Sequence, residues 1–240
     1  MKKENKNRKV IWILGASSGI GKAIAKEFAR IGCIVYASSR KKIDLEQLAN
    51  ELAEEKLSIN ILPCNIASYQ NVDICSKKIL LEGRIDCLVN AAGITSFKPA
   101  IDNSMNEVID IINTNLLGSI FSIKSVLPKM IEQRRGTIIN ILSTVIEKIF
   151  TNSSAYSASK SGLLAYTNVL REEMRENNIR IINIAPGPTD TPMWAQEIRK
   201  ENSHRMMTSE EIAQTVIWTF LNDENLVVEK MILRPIKGDL

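Results

Sequence analysis

The chain has 240 residues, 45% hydrophobic and 24% charged, with a formal net charge of +4 at pH 7. That length suits one α/β domain, residues 1–240, and no apolar stretch approaches membrane-spanning length. Four scattered cysteines (Cys33, Cys64, Cys75, Cys87) without a Cys-x-x-Cys pair, and a single histidine, His204, argue against a zinc site and a Ser-His-Asp triad. The cysteines read as reduced core residues of a cytoplasmic protein.

Residues 1–9 form a basic arm without interleaved aromatics, which reads as a flexible terminus rather than a nucleic-acid contact. The apolar run after it stops at Gly15, too short for a secretory signal. Val10 to Leu14 fits a strand buried on both faces. Gly15-Ala-Ser-Ser-Gly-Ile-Gly21 follows, then an amphipathic helix to about Ile31, capped by Gly32. Glycines between a strand and a helix let the backbone approach a pyrophosphate, while the helix N-terminus supplies free amides. A lone glycine cluster is weak evidence, but between a strand and a helix at the chain's start it favours nucleotide binding over a mere tight turn.

Strands follow at Cys33 to Ala37, Ile59 to Leu62 and Cys87 to Asn90, with helices over Asp44 to Lys56 and Asn71 to Leu81 between them. Asn65 follows the third strand, where it reads either as a turn residue or as a group within reach of an adenine ring. Asn90 ends the fourth strand, either in a plain turn or bracing a cofactor cavity. A long helical pattern, Met105 to Met130, is strained by Gly118 and Pro128 and contains Asn115, whose simplest reading is a solvent-facing residue.

Thr137 to Leu142 is the fifth strand, and Ser143 sits at its end, the edge where open α/β sheets bind ligands. Tyr156 and Lys160 open a helix reaching Arg175, and their i,i+4 spacing stacks them on one face. A hydroxyl, a phenol and an ammonium then converge, and the cation favours phenolate. An ordinary helix start with a surface lysine is the competing reading. Arg180 to Ile184, an irregular segment from Pro186, a helix from Glu210 to Leu221 capped by Ser209, and Met231 to Leu233 complete the chain. The alternation predicts a doubly wound parallel sheet of Rossmann type, order 3-2-1-4-5-6, with a seventh edge strand and helices on both faces.

Gly15-x-x-x-Gly19-x-Gly21, Asn90-Ala-Ala-Gly93, Asn115, Ser143, Tyr156-x-x-x-Lys160 and Pro186-Gly187 occur in this order. Together they resemble the short-chain dehydrogenase/reductase family in its single-domain form. The resemblance implies reversible hydride transfer between a nicotinamide and a carbonyl or alcohol carbon of a small substrate. It gives Tyr156 the acid/base role and Ser143 the substrate oxygen. Lys160 would lower the phenol pKa and bind the ribose, and Asn115 would anchor a relay water. Cofactor contacts are implied for Gly15, Ser17, Ser18, Gly19, Ile20, Gly21, Ser39, Arg40, Asn65, Ile66, Asn90, Ala91, Ala92 and Gly93. They continue through Tyr156, Lys160, Pro186, Gly187, Thr189 and Thr191.

Some positions depart from the family pattern. Leu14 replaces a Thr, Ala91 an Asn, and Asn65 a common Asp, while the Met231 to Leu240 ending lacks Val-Asp-Gly-Gly. That ending resembles the branch of NADP-dependent enzymes acting on small hydroxy acids. Residues 33–43 contain no acid to bind a ribose 2′-hydroxyl. Ser39 leaves room for a 2′-phosphate, Arg40 can grip it in a fork, and Lys41 adds charge. The implied cofactor is therefore NADP, with an NAD-dependent member as the alternative. Residues 188–207 read as a mobile lid, with Met193 and Trp194 as either an apolar wall or an ordinary amphipathic helix surface, and Val145 to Ser153 as the rim that selects substrate.

Apolar residues beyond one stripe, including Phe121, Leu163, Leu164 and Tyr166, predict a homodimer or homotetramer through a four-helix interface. The competing function is a regulatory or structural nucleotide-binding protein on the same fold, with a family isomerase or lyase a third reading. No metal, nucleic-acid or membrane partner is expected.

Overall fold

The computed structural model describes residues 8–222 and 226–240. Val10–Leu14 (β1), Gly19–Arg30 (α1), Ile34–Ser38 (β2), Lys42–Glu54 (α2), Asn60–Ile61 (β3), Tyr69–Leu81 (α3) and Cys87–Asn90 (β4) alternate. The second half carries Met105–Ile112 (α4), Gly118–Gln133 (α5), Gly136–Ile141 (β5), Ser154–Met174 (α6), Ile179–Pro186 (β6), Gln196–Asn202 (α7), Ser209–Leu221 (α8) and Lys230–Leu233 (β7). The strands form one sheet in the order β3-β2-β1-β4-β5-β6-β7, every pair parallel, so the expected order and the seventh edge strand are both present.

Successive side chains of a strand point to opposite faces, and here both faces are covered. Ile11 and Ile13 face a layer with Phe28, Leu45, Val216 and Phe220. Trp12 and Leu14 face the other, with Val72, Ile123, Val126 and Leu170. On the first face α1 meets α8, and the rings of Phe28 and Phe220 pack edge to face with centroids 5.2 Å apart.

Boundary differences have local causes. The third strand is only Asn60–Ile61, because it lies at the sheet edge. α2 starts at Lys42, two residues before Asp44, so the Arg40–Lys41 turn leads straight into it. The last helix is capped by Thr208, not Ser209: Thr208 and Glu211 form a capping box, while Ser209 turns inward to the Asp190 carbonyl. Of the basic arm, residues 1–7 lie outside the described residues. Arg8 is fastened, its Nε donating to the Gly32 carbonyl at 2.6 Å.

The long helical pattern divides at residues 113–117, a single π-helical turn between α4 and α5. Pro128, mid-way along α5, is exposed and leaves that helix unbroken. A π-turn inserts a residue, shifts the helix face and often occurs at functional positions. Here it carries Asn115 inward to full burial, opposite to the solvent-facing reading.

A ladder of buried amides crosses the sheet under α5 and α6. Asn90, Asn140 and Asn183 are register partners on β4, β5 and β6. Asn90 Nδ2 donates to Asn140 Oδ1 at 3.0 Å, and Asn140 Nδ2 to Asn183 Oδ1 at 3.2 Å. Ser122 of α5 closes one end on Asn90 Oδ1 at 2.6 Å, and Thr167 of α6 closes the other on Asn183.

Candidate active site

The glycine loop is packed to its backbone. A Cβ on Gly15 would sit 2.5 Å from the Ala92 nitrogen, and one on Gly21 would sit 2.2 Å from the Gly15 carbonyl oxygen. The Gly15 and Ala16 amides donate to the Ser38 carbonyl, which ties the loop to the end of β2. Ser18 precedes α1 without a side-chain cap, so the first-turn amides stay available to an anion. Gly19, at φ +51, faces Thr191: a Cβ there would lie 3.1 Å from the threonine Cβ. Ser17, Ile20, Ala91, Ala92 and Gly93 are half-buried and Asn90 is buried, with Ile20 and Ala91 packing against the core; half-buried Ser39 and exposed Arg40 follow β2. A glycine loop leading into a free helix N-terminus fits a pyrophosphate-linked dinucleotide.

Two residues assigned to the cofactor are used by the fold. Asn65 turns its Oδ1 to the Ala67 amide at 3.2 Å, the turn alternative. Ile66 is buried against Gly118, where a Cβ would come within 2.7 Å of its Cγ1.

Ser143, Tyr156, Lys160 and Asn115 do converge. Tyr156 is buried, and burial pushes its phenol up to about 12, opposed by a hydrogen bond with Ser143 that pulls it down. Lys160 is also buried, its Nζ donating to the Ile141 carbonyl at 2.8 Å and lying 5.8 Å from the Tyr156 ring centre. Burial pulls that ammonium down to about 8. The phenol's shift is set by burial and by the Ser143 hydrogen bond, with no lowering by Lys160. Asn115 holds the chain after Gly93, accepting from the Ile94 amide at 2.8 Å and donating to its carbonyl at 2.9 Å and to Ser159 Oγ at 3.0 Å. Asn115 Oδ1 and Lys160 Nζ both approach Gly93, each 3.5 Å from where its Cβ would lie.

Pro186 and Gly187 leave β6 beside this cluster, and Thr189 turns its hydroxyl to the Gly187 carbonyl at 3.0 Å. Residues 188–207 contain α7 and are pinned at their base by Asp190 N to Met207 O at 2.8 Å and Met207 N to Pro188 O at 3.0 Å. Trp194 stacks on Phe97, ring centres 5.2 Å apart, and so joins this segment to the one after β4. A cavity of about 290 Å³ lies beside the 145–153 segment, lined by Ala100, Val145, Ile149 and Phe150 together with the polar Thr151, Asn152, Ser154 and Ser157.

Sequence reasoning missed Asn140, Asn183 and Ser159. Asn140 and Asn183 sat inside apolar strand runs; three asparagines at matching positions of neighbouring strands were the available signal. It also missed Asp239, whose side chain is buried beside Gly187.

Residues 9–202 match the short chain dehydrogenase family. A sepiapterin reductase of Chlorobaculum tepidum is 35% identical over 96% of this chain and 98% of its own. A metagenomic short-chain oxidoreductase solved with NADP superposes with a TM-score of 0.83 at 27% identity, covering 95% of this chain and 96% of the other. An alcohol dehydrogenase of Thermococcus sibiricus solved with 5-hydroxy-NADP gives 0.85 at 27%, covering 97% and 99%. The chain belongs to the short-chain dehydrogenase/reductase family. It is an NAD(P)-dependent oxidoreductase, and the regulatory alternative falls. No helix among the described residues is long and apolar enough to cross a membrane.

The Lys160 shift has a thermodynamic signature. Its folded pKa lies below the unfolded value, so the unfolded chain binds more protons between about 8 and 10.5, and stability rises with pH there. Lys160→Met removes the group. Between pH 7 and pH 10 the wild type should gain about 2–3 kcal/mol relative to the variant, read from urea unfolding at both values. Equal pH dependence in the two proteins contradicts the buried ammonium.

Proposed function

We propose that this chain transfers a hydride between NADP(H) and a carbonyl or secondary alcohol carbon of a small substrate, with Tyr156 as acid/base. The convergence of Ser143 and buried Tyr156 above Lys160 carries the reading. The nicotinamide supplies or accepts the hydride; the protein's task is the proton and the geometry. With its pKa raised to about 12, the phenol is protonated at neutral pH and ready to donate to a carbonyl oxygen. Ser143 holds that oxygen beside the phenol. Lys160, pulled down to about 8, yields a proton readily to the phenolate left behind. Asn115 steadies the Gly93–Ile94 backbone at the cofactor's edge and anchors the relay towards solvent. A carbonyl borne by a planar aromatic ring suits the Phe97–Trp194 wall, and one relative is named for sepiapterin reduction.

Tyr156→Phe keeps the ring and removes the proton. With NADPH and a panel containing sepiapterin and simple ketones, turnover should fall by at least roughly a hundredfold while NADPH binding is kept. Wild-type turnover in this variant would sink the assignment.

The choice of NADP rests on Ser39, Arg40 and Lys41, an exposed cationic turn at the end of β2. Losing one charge-assisted phosphate contact should weaken NADPH binding roughly ten- to hundredfold. Titration of Arg40→Ala with both cofactors should show that loss for NADPH and almost none for NADH. A wild type that prefers NADH, or equal losses, overturns the reading.

Assembly as a homodimer or homotetramer is supported by what α4 and α6 leave uncovered. Leu163 is buried and Phe121 packs on Tyr69, so part of the expected stripe has partners within the chain. Met105, Ile109 and Val169 remain exposed. Sedimentation equilibrium at micromolar concentration should give a mass of two or four chains; a monomer mass refutes it.

A further inference from the structure

Beside the proposed active site, one buried carboxylate gathers four separate segments of the chain. β7 ends at Leu233, whose carbonyl accepts from the Gly187 amide at 2.8 Å. The chain then reverses through a turn, Gly238 N to Pro235 O at 2.8 Å, with Gly238 at φ +80. A glycine adopts that left-handed conformation without strain. The turn returns Asp239 to the site, its side chain only 6% exposed.

Each atom of Asp239 meets a different part of the site. Oδ2 takes Lys148 Nζ of the rim loop at 3.1 Å. The backbone carbonyl accepts from Arg205, at the end of the lid segment, at 3.2 Å. Oδ1 makes no hydrogen bond among the described residues; it lies 3.7 Å from Arg234 Nε and 3.3 Å from where a Gly187 Cβ would be. A second ion pair, Lys230 with Glu147 at 2.7 Å, ties the same rim loop to β7. Burying a carboxylate among a loop, a lid and a strand end is unfavourable unless cations meet it there, and they come from those segments.

We propose that Asp239 is a positioning residue that makes the last residues of the chain a wall of the substrate site. It acts on the rim loop through Lys148, on the lid through Arg205 and on the Gly187 segment by contact. The inference rests on the reading of this cleft as the active site. The exposed ends of Lys148 and Arg234 make the cluster a minor source of global stability, so its effect falls on the placement of loops.

Two readouts test it, one independent of turnover. Trp218→Phe leaves Trp194 of the lid and fully buried Trp12 as the emitters. In that background a chain ending at Gly238, which removes the carbonyl that Arg205 holds, should make Trp194 more accessible to acrylamide, and Asp239→Asn, which keeps that carbonyl, should change it less. Unchanged quenching in the shortened chain overturns the proposal, whatever the enzyme's substrate. In the full chain, Asp239→Asn and Lys148→Met should each raise the KM of the carbonyl substrate by about tenfold, with kcat nearly kept. The double variant should be no worse than either single one, because both remove one contact. Multiplying effects, or kcat falling in step with a lowered melting temperature, would overturn it. Inactivity of the parent towards every carbonyl tried would fail the functional reading alone, since the quenching result stands without it.

Discussion

The site depends on a closed circuit of buried hydrogen bonds. From Thr167 on α6 it crosses Asn183, Asn140 and Asn90 to Ser122 on α5. The single Ser122 hydroxyl hydrogen lies within reach of both Asn90 Oδ1 and the Ser119 carbonyl, and the Ser119 hydroxyl donates to the carbonyl of Asn115 in the π-turn. Asn115 reaches Ser159, whose hydroxyl returns to the Tyr156 carbonyl on α6. An unpaired buried polar group costs about 1–3 kcal/mol, so sliding either helix by one residue would orphan several groups at once. Apolar packing alone tolerates small shifts; this circuit does not. It sets the height of α6 over the sheet, and with it the placement of Tyr156 and Lys160.

The circuit also explains why the two titrating groups diverge. A phenol and a lysine ammonium have similar affinities for a proton in water. Sunk together at the sheet edge, one is pushed up to about 12 and the other down to about 8. Desolvation disfavours the charged form of each, phenolate in one case and ammonium in the other. In the proposed reaction both shifts favour returning a proton to the phenolate over keeping it on the lysine. Direction is built into burial rather than into a dedicated charge.

The sheet order and the meeting of Ser143, Tyr156 and Lys160 were legible because each rests on a local rule. Apolar runs between turn residues mark parallel strands, and i,i+4 spacing aligns side chains on a helix. Asn115 was visible as a motif residue, but its burial was not: that depends on the π-turn, and nothing in Asn113-Thr-Asn-Leu-Leu117 announces a five-residue hydrogen-bond step. Asn140 and Asn183 were hidden inside runs that read as uniformly apolar, since their partners are set by register between distant strands. Asp239 was beyond reach for the same reason, its contacts lying up to 91 residues away in sequence. Ser209 and Thr208 show the limit at short range, where neighbouring hydroxyls compete and the third-residue glutamate decides.

The edge-to-face contact of Phe28 with Phe220 joins the first helix to the last long one. α1 packs one side on the sheet and the other on α8, so the part of its apolar face that meets α8 has no cover until residue 220 has been made. At synthesis rates of about 5–20 residues per second, the interval between the two rings is roughly 10–40 s. For that time the nascent chain presents a hydrophobic surface, alongside parallel strands that themselves await distant neighbours. The last helix thus acts as the closing step of biogenesis, and a chain arrested before it would emerge as a client for chaperones rather than as a smaller folded protein.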